Sequence, residues 1–199
     1  MAVDPKASRP ERARDPMERL RKPPREVLKL MEPIPLFEEL NVRERTVLSE
    51  MAEVVRCSGG TKVFEGGDDG LYLYCVLKGR LELRTASAPG LTLAVREIPE
   101  GRLAGLDAVL TQAPYHMSCV ALENTAAMRF HTSQLHQLLQ AGTPAAIKLF
   151  VAMRLELGTD LRAATLQVTR LLESSSVRGS GVPQASSPAR PPPPGSTRG

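Results

Sequence analysis

The side chains best suited to chemistry in this 199-residue chain are three histidines, three cysteines and two glycine-rich stretches. Their spacing excludes most of the obvious reactions. His131 and His136 have no cysteine or carboxylate at ligand spacing around them, so they read as surface histidines rather than a metal site. Cys57, Cys75 and Cys119 are 18 and 44 residues apart, which suits neither a disulfide framework nor a zinc site. They read as small buried residues of a reducing compartment, and the chain is expected to be cytoplasmic. Gly66-Gly67-Asp68-Asp69-Gly70 lacks the Lys-Ser/Thr of a phosphate-binding loop and precedes a strand rather than a helix, so it is a turn. No nucleophile elbow is present. Nothing here supports catalysis, and the expectation is a non-enzyme without metal or cofactor.

Composition separates a body from two tails. The net charge is +4 with a pI near 9.2. Residues 1–30 hold nine Lys or Arg against five Asp or Glu, and residues 177–199 hold three Arg and no acid. The middle is mildly acidic, which argues against a basic nucleic-acid-binding fold. The longest apolar run, Leu71–Leu77, has seven residues, far short of the roughly 20 that a membrane span requires. The N-terminus is charged and broken by prolines, so no secretory signal is expected.

The body shows helical spacing first. Leu36, Phe37, Leu40, Val47, Leu48, Met51, Val54 and Val55 predict one or two short helices over 36–55. Asn41 with Glu44 is a capping box for the second. Residues 56–131 then alternate short apolar segments with glycine turns at about ten-residue spacing, as in an antiparallel barrel, roll or sandwich. Leu81/Leu83 and Leu91/Leu93/Val95 read as strands buried on one face. A short helix is expected over 133–140. Pro144 opens a long one in which Ile147, Phe150, Leu157, Leu161, Ala164, Val168 and Leu171 follow a 3-4 spacing.

Four parts follow: a basic, Pro-rich flexible arm (1–33), a β-roll (34–143), a long C-terminal helix of the same domain (144–174), and a disordered Pro/Ser/Gly/Arg tail (175–199). The fold class is mainly β with flanking α. It is a jelly-roll-like antiparallel roll of about eight strands, with N-terminal helices and the long helix after it.

One stretch carries a resemblance. Val63-Phe64-Glu65-Gly66-Gly67-Asp68, then Leu71–Leu77, then Lys78-Gly79-Arg80-Leu81-Glu82-Leu83 resembles the cyclic-nucleotide-binding domain family, as does the opening Leu36-Phe37-Glu38-Glu39-Leu40. The resemblance covers roughly residues 34–173. It implies a ligand cassette between two strands, where a short helix beginning Gly-Glu offers backbone N–H groups to a cyclic phosphate. In the family the Glu takes the ribose hydroxyl and an Arg about ten residues on pairs with the phosphate. Here the cassette is Gly101-Arg102-Leu103-Ala104-Gly105-Leu106-Asp107, followed by His116-Met117-Ser118. Leu106 stands at the Glu position, with Asp107 beside it, and His116 at the Arg position. A charge-assisted bond is worth about 1.5–3 kcal/mol, a roughly 10- to 150-fold loss of affinity.

The resemblance with a degenerate cassette implies a regulatory or scaffolding module with weak or absent cyclic mononucleotide binding. It would act on a protein partner, or on a second copy through Leu157, Leu161, Ala164, Val168 and Leu171. The alternatives are a genuine sensor of a cyclic nucleotide or dinucleotide and a transcription regulator. The last would need a helix-turn-helix after the long helix. None can be drawn through Ser174–Gly199, so specific DNA binding is not expected.

Overall fold

The computed structural model describes residues 15–88 and 91–179. The chain divides into two compact units, Met1–Gly158 and Thr159–Gly199. The first holds two antiparallel sheets. One runs β1 (Glu18–Leu20), β2 (Glu53–Cys57), β9 (Thr125–His131), β4 (Tyr72–Lys78), β7 (Leu103–Ala104). The other runs β3 (Lys62–Phe64), β8 (Ser118–Ala121), β5 (Leu81–Ala88), β6 (Leu91–Ile98). These nine strands, with flanking helices, make the expected β-roll.

The apolar run in β4 is continuous because both of its faces are covered. Leu73 and Cys75 join a core shared with helices α1 (Pro24–Met31), α2 (Val42–Met51) and the first turns of α5 (Pro144–Gly179). Tyr74 and Val76 face the other way, into the interior of the roll, where they meet Val63 and Phe64 of β3 and Cys119 of β8. Strand β9 divides in the same way, Met128 and Phe130 against Ala127. The capping box forms as expected: Asn41 Oδ1 accepts from the Glu44 N–H, and Glu44 Oε2 accepts from the Asn41 N–H. Glu44 also pairs with Lys148 of α5 at 2.9 Å.

The structure departs from expectation at four places. Residues 15–33, expected within a flexible arm, add strand β1 to the edge of β2 and supply α1, with Met17, Val27 and Met31 buried. Pro23-Pro24 opens this helix instead of breaking it, since the first turn has no use for the missing N–H. Residues 1–14 of the expected arm lie outside the described residues. Val54 and Val55 are on β2, not on a helix, and place their β-branched side chains on opposite faces of the sheet. Leu91, Leu93 and Val95 remain about half exposed on β6, the edge strand of its sheet, where only the last residue, Ile98, is buried. The long helix continues to Gly179 rather than ending near Ser174, as the serines there provide no break. The rest of the expected tail, 180–199, lies outside the described residues.

The second unit is described to Gly179 and is helical throughout that range. Its Leu161, Ala164 and Val168 are exposed, and in the first unit Leu157 is partly so. The side chain of Leu171 lies outside the described set.

Candidate functional site: the β7–α3–β8 cassette

The segment between β7 and β8 contains Gly105, helix α3 (Leu106–Thr111) and a loop leading to Ser118. Gly101 makes the turn before it at φ +79°. Gly105 occupies the left-handed region at φ +80°, and a Cβ there would lie 2.9 Å from both the Tyr115 ring and the Tyr72 carbonyl. Backbone conformation and packing each call for glycine at this position.

Two polar side chains of the cassette, Asp107 and Ser118, are engaged by the protein itself. Asp107 Oδ2 accepts from the backbone N–H of His116 at 3.3 Å. Ser118 Oγ accepts from the N–H of Gly66 at 3.0 Å, tying the glycine turn to β8. Met117 is half-buried against the core of the roll. Leu106 is buried on the helix side, among the residues packed with α1 and α5, not in the interior of the roll. The His116 side chain is exposed. The structure thus ties Asp107 and Ser118 into the segment around Gly105, packs Leu106 on the helix side and leaves His116 exposed.

A residue that the sequence reading passed over holds the centre. Tyr115 is 4 % exposed, and its ring stacks on Phe64 with centroids 3.8 Å apart and planes 17° from parallel. Phe64 in turn lies 5.8 Å from the Tyr74 ring. The Tyr115 hydroxyl donates to the Tyr72 carbonyl at 2.7 Å and accepts from the Tyr72 N–H at 2.9 Å. Both lone β-ladder groups of Tyr72 are thereby satisfied by one side chain. Burial, and then the neighbouring Tyr74, push the Tyr115 phenol well above its ordinary pKa, so it remains a neutral donor. The only cue to this in the sequence is Pro114-Tyr115, an aromatic in a chain that has only three tyrosines.

Two clefts, about 470 and 580 Å³, lie elsewhere on the surface. Neither is lined by Gly105, Leu106, Asp107, His116 or Ser118. Among the described residues no group of His, Cys, Asp and Glu is arranged to hold a metal, and no helix is long and apolar enough to cross a membrane. His131 instead caps helix α4 (Thr132–Gln140), its Nδ1 accepting from the Ser133 N–H, and His136 Nε2 lies 2.7 Å from the Val109 carbonyl. The cassette is also tied to the long helix, where Glu156 meets Arg102 at 3.2 Å and accepts from the Leu103 N–H at 3.3 Å.

Residues 54–141 match the family model of the cyclic nucleotide-binding domain. The β-roll has the fold of this domain. A domain of this name from Methylobacillus flagellatus superposes with a TM-score of 0.68 at 19% identity, covering 78% of this chain and 89% of that one. The catabolite activator protein of Thermus thermophilus gives 0.57 at 25% identity, over 69% of this chain and 62% of its own. The regulatory subunit of a cAMP-independent protein kinase A from Trypanosoma brucei gives 0.52 at 17% identity. That match covers 62% of this chain and 48% of the subunit, so the chain spans about half its length. No curated protein matches the sequence. These comparisons establish a cyclic nucleotide-binding domain fold.

Proposed function

We propose that the chain is a cytoplasmic, non-catalytic regulatory or scaffolding module whose cassette is closed to cyclic mononucleotides and which works through protein contacts. The observation that carries this reading is the Tyr115 ring. It fills the interior of the roll beside Gly105 and takes both hydrogen-bonding groups of Tyr72. A ligand at the cassette would have to expel a buried aromatic and then bind without the arginine and glutamate of the family pattern. Each charge-assisted contact missing from that pattern is worth about 1.5–3 kcal/mol.

The contact surface in this reading is the α5 seam of Leu157, Leu161, Ala164, Val168 and Leu171. Its described side chains are exposed or partly so, and a second copy covers them most simply, by two-fold pairing. The T. brucei neighbour, a subunit of a cAMP-independent kinase, gives a precedent for this fold in a regulatory role apart from cyclic AMP.

The test is isothermal titration of the full chain with cyclic AMP, cyclic GMP and cyclic di-GMP. The expected result is no saturable heat below about 100 μM ligand. Micromolar binding of either mononucleotide overturns the closed cassette, and binding of the dinucleotide alone makes the protein a sensor of a different ligand.

A further inference from the structure

The interior of the roll contains a charge that the cassette does not use. Arg129, on β9, lies in the cross-strand row Glu53–Arg129–Tyr74–Ala104 and shares the face of Tyr74. It is 4 % exposed. Its guanidinium carbon sits 4.2 Å above the Tyr72 ring. Glu53 holds one edge of the fork, accepting from Nε at 2.9 Å with Nη2 at 2.8 Å. Burial opposes the charge, and the Glu53 and Asp15 carboxylates beside it outweigh that, so the pKa of the arginine is raised.

The other edge is held differently. Nη1 is 2.5 Å from Asp15 Oδ2, yet it makes no aligned hydrogen bond and is a buried polar nitrogen without one. Asp15 belongs to a short strap. Its Oδ1 accepts from the Met17 N–H, Met17 is buried in the core of the roll, and β1 follows as a three-residue edge strand. The Asp15 side chain is 42 % exposed, so water reaches the carboxylate while the guanidinium beneath stays dry. A partner that is close but poorly aligned, and that lies just ahead of a short edge strand, can be exchanged for another.

We propose that Arg129 is an anion-recognition site inside the roll, occupied by the carboxylate of the chain's own Asp15 and able to take an external carboxylate when the strap lifts. Charge decides the class of ligand. Arg129 and Arg19 face Glu53 and Asp15, and Arg19 pairs with Glu53 at 2.9 Å. Without Asp15 the group carries one positive charge, which a monoanionic carboxylate neutralises. A phosphate monoester, at about −1.5 to −2 near pH 7, would leave excess negative charge in a buried place. The planar fork matches a carboxylate in geometry as well. The site meets the cassette through Tyr72, and none of Gly105, Leu106, Asp107, Tyr115, His116 or Ser118 takes part.

The test is an NMR titration of the full chain that follows the Arg129 Nε–H resonance, assigned by its loss in Arg129→Lys. Acetate is the probe, with inorganic phosphate as the second arm. Asp15→Asn keeps the acceptor for the Met17 N–H and removes the competing charge. Acetate should shift the resonance saturably in this variant, about tenfold more tightly than in the wild type. Asp15→Glu, which keeps the charge, should respond like the wild type. The proposal fails if Asp15→Asn, still cooperatively folded, shows no saturable shift up to about 100 mM acetate, or if it responds no better than the wild type. Tighter binding of phosphate than of acetate overturns the choice of carboxylate.

Discussion

Removing Tyr115 in two steps separates the ring from its hydroxyl. Tyr115→Phe keeps the stack on Phe64 and deletes the two bonds to Tyr72, leaving a buried N–H and C=O without their partner. Stranding such groups costs about 1–3 kcal/mol. Tyr115→Ala deletes the ring as well, and truncating a buried aromatic costs about 3–5 kcal/mol. The ring alone should therefore account for about 2 kcal/mol, the difference between the two variants. With a urea slope of about 2 kcal/mol per M, the midpoint should fall by about 1 M for Phe and about 2 M for Ala, at unchanged slope. The variants should be unfolded side by side as full chains and followed by both fluorescence and circular dichroism. A loss below about 1 kcal/mol for Tyr115→Ala would show that the ring does not fill the roll, and the case for a closed cassette would go with it.

Leu106→Glu should destabilise by at least about 2 kcal/mol in the same assay, since it places a carboxylate in the core beneath the helices rather than in the interior of the roll. Pairing it with His116→Arg should not create cyclic AMP binding; a gain of micromolar affinity would show that both side chains turn inward. Sedimentation at tens of micromolar should find a dimer for the wild type and a monomer for Leu161→Glu, and a wild-type monomer would reject self-association through α5. The Lys148 ammonium, and then the Asn41 N–H, hold the Glu44 carboxyl below its ordinary value of 4.5. A lowered folded-state pKa gives stability that is present above about pH 4.5 and lost as pH falls through the folded value. Glu44→Gln should flatten the acid limb of the stability curve below that pH, and an unchanged limb would place the sensitivity elsewhere.

The β4 run, the glycine turns and the Asn41–Glu44 box were legible because each is a local pattern with a single structural solution. The place of the cassette followed only from the family resemblance, and in the structure Gly101 and Gly105 stand at the turn before it and at the start of helix α3. Tyr115 was not, because one aromatic in a loop has no periodicity to reveal its burial; only the fold brings Phe64 and Tyr72 against it. Pro23-Pro24 can break a helix or open one, and what decides is the tertiary burial of Val27 and Met31. The exposure of Leu91, Leu93 and Val95 follows from the place of β6 at the edge of its sheet, a property of strand order that alternation along one strand does not contain. Arg129 lies in a strand pattern that otherwise reads as apolar, and its partner Asp15 is 114 positions away in sequence.

The closed cassette is tested most directly by titrating cyclic AMP to about 1 mM into isotopically labelled full chain while following the amides of Gly105, Tyr72 and Tyr115. If Tyr115 occupies the place of the ligand, these three resonances stay unmoved, or drift without saturating. A saturable shift centred on Gly105 with micromolar affinity would mean that the ring swings out to admit the nucleotide, and the protein would then be a receptor for it.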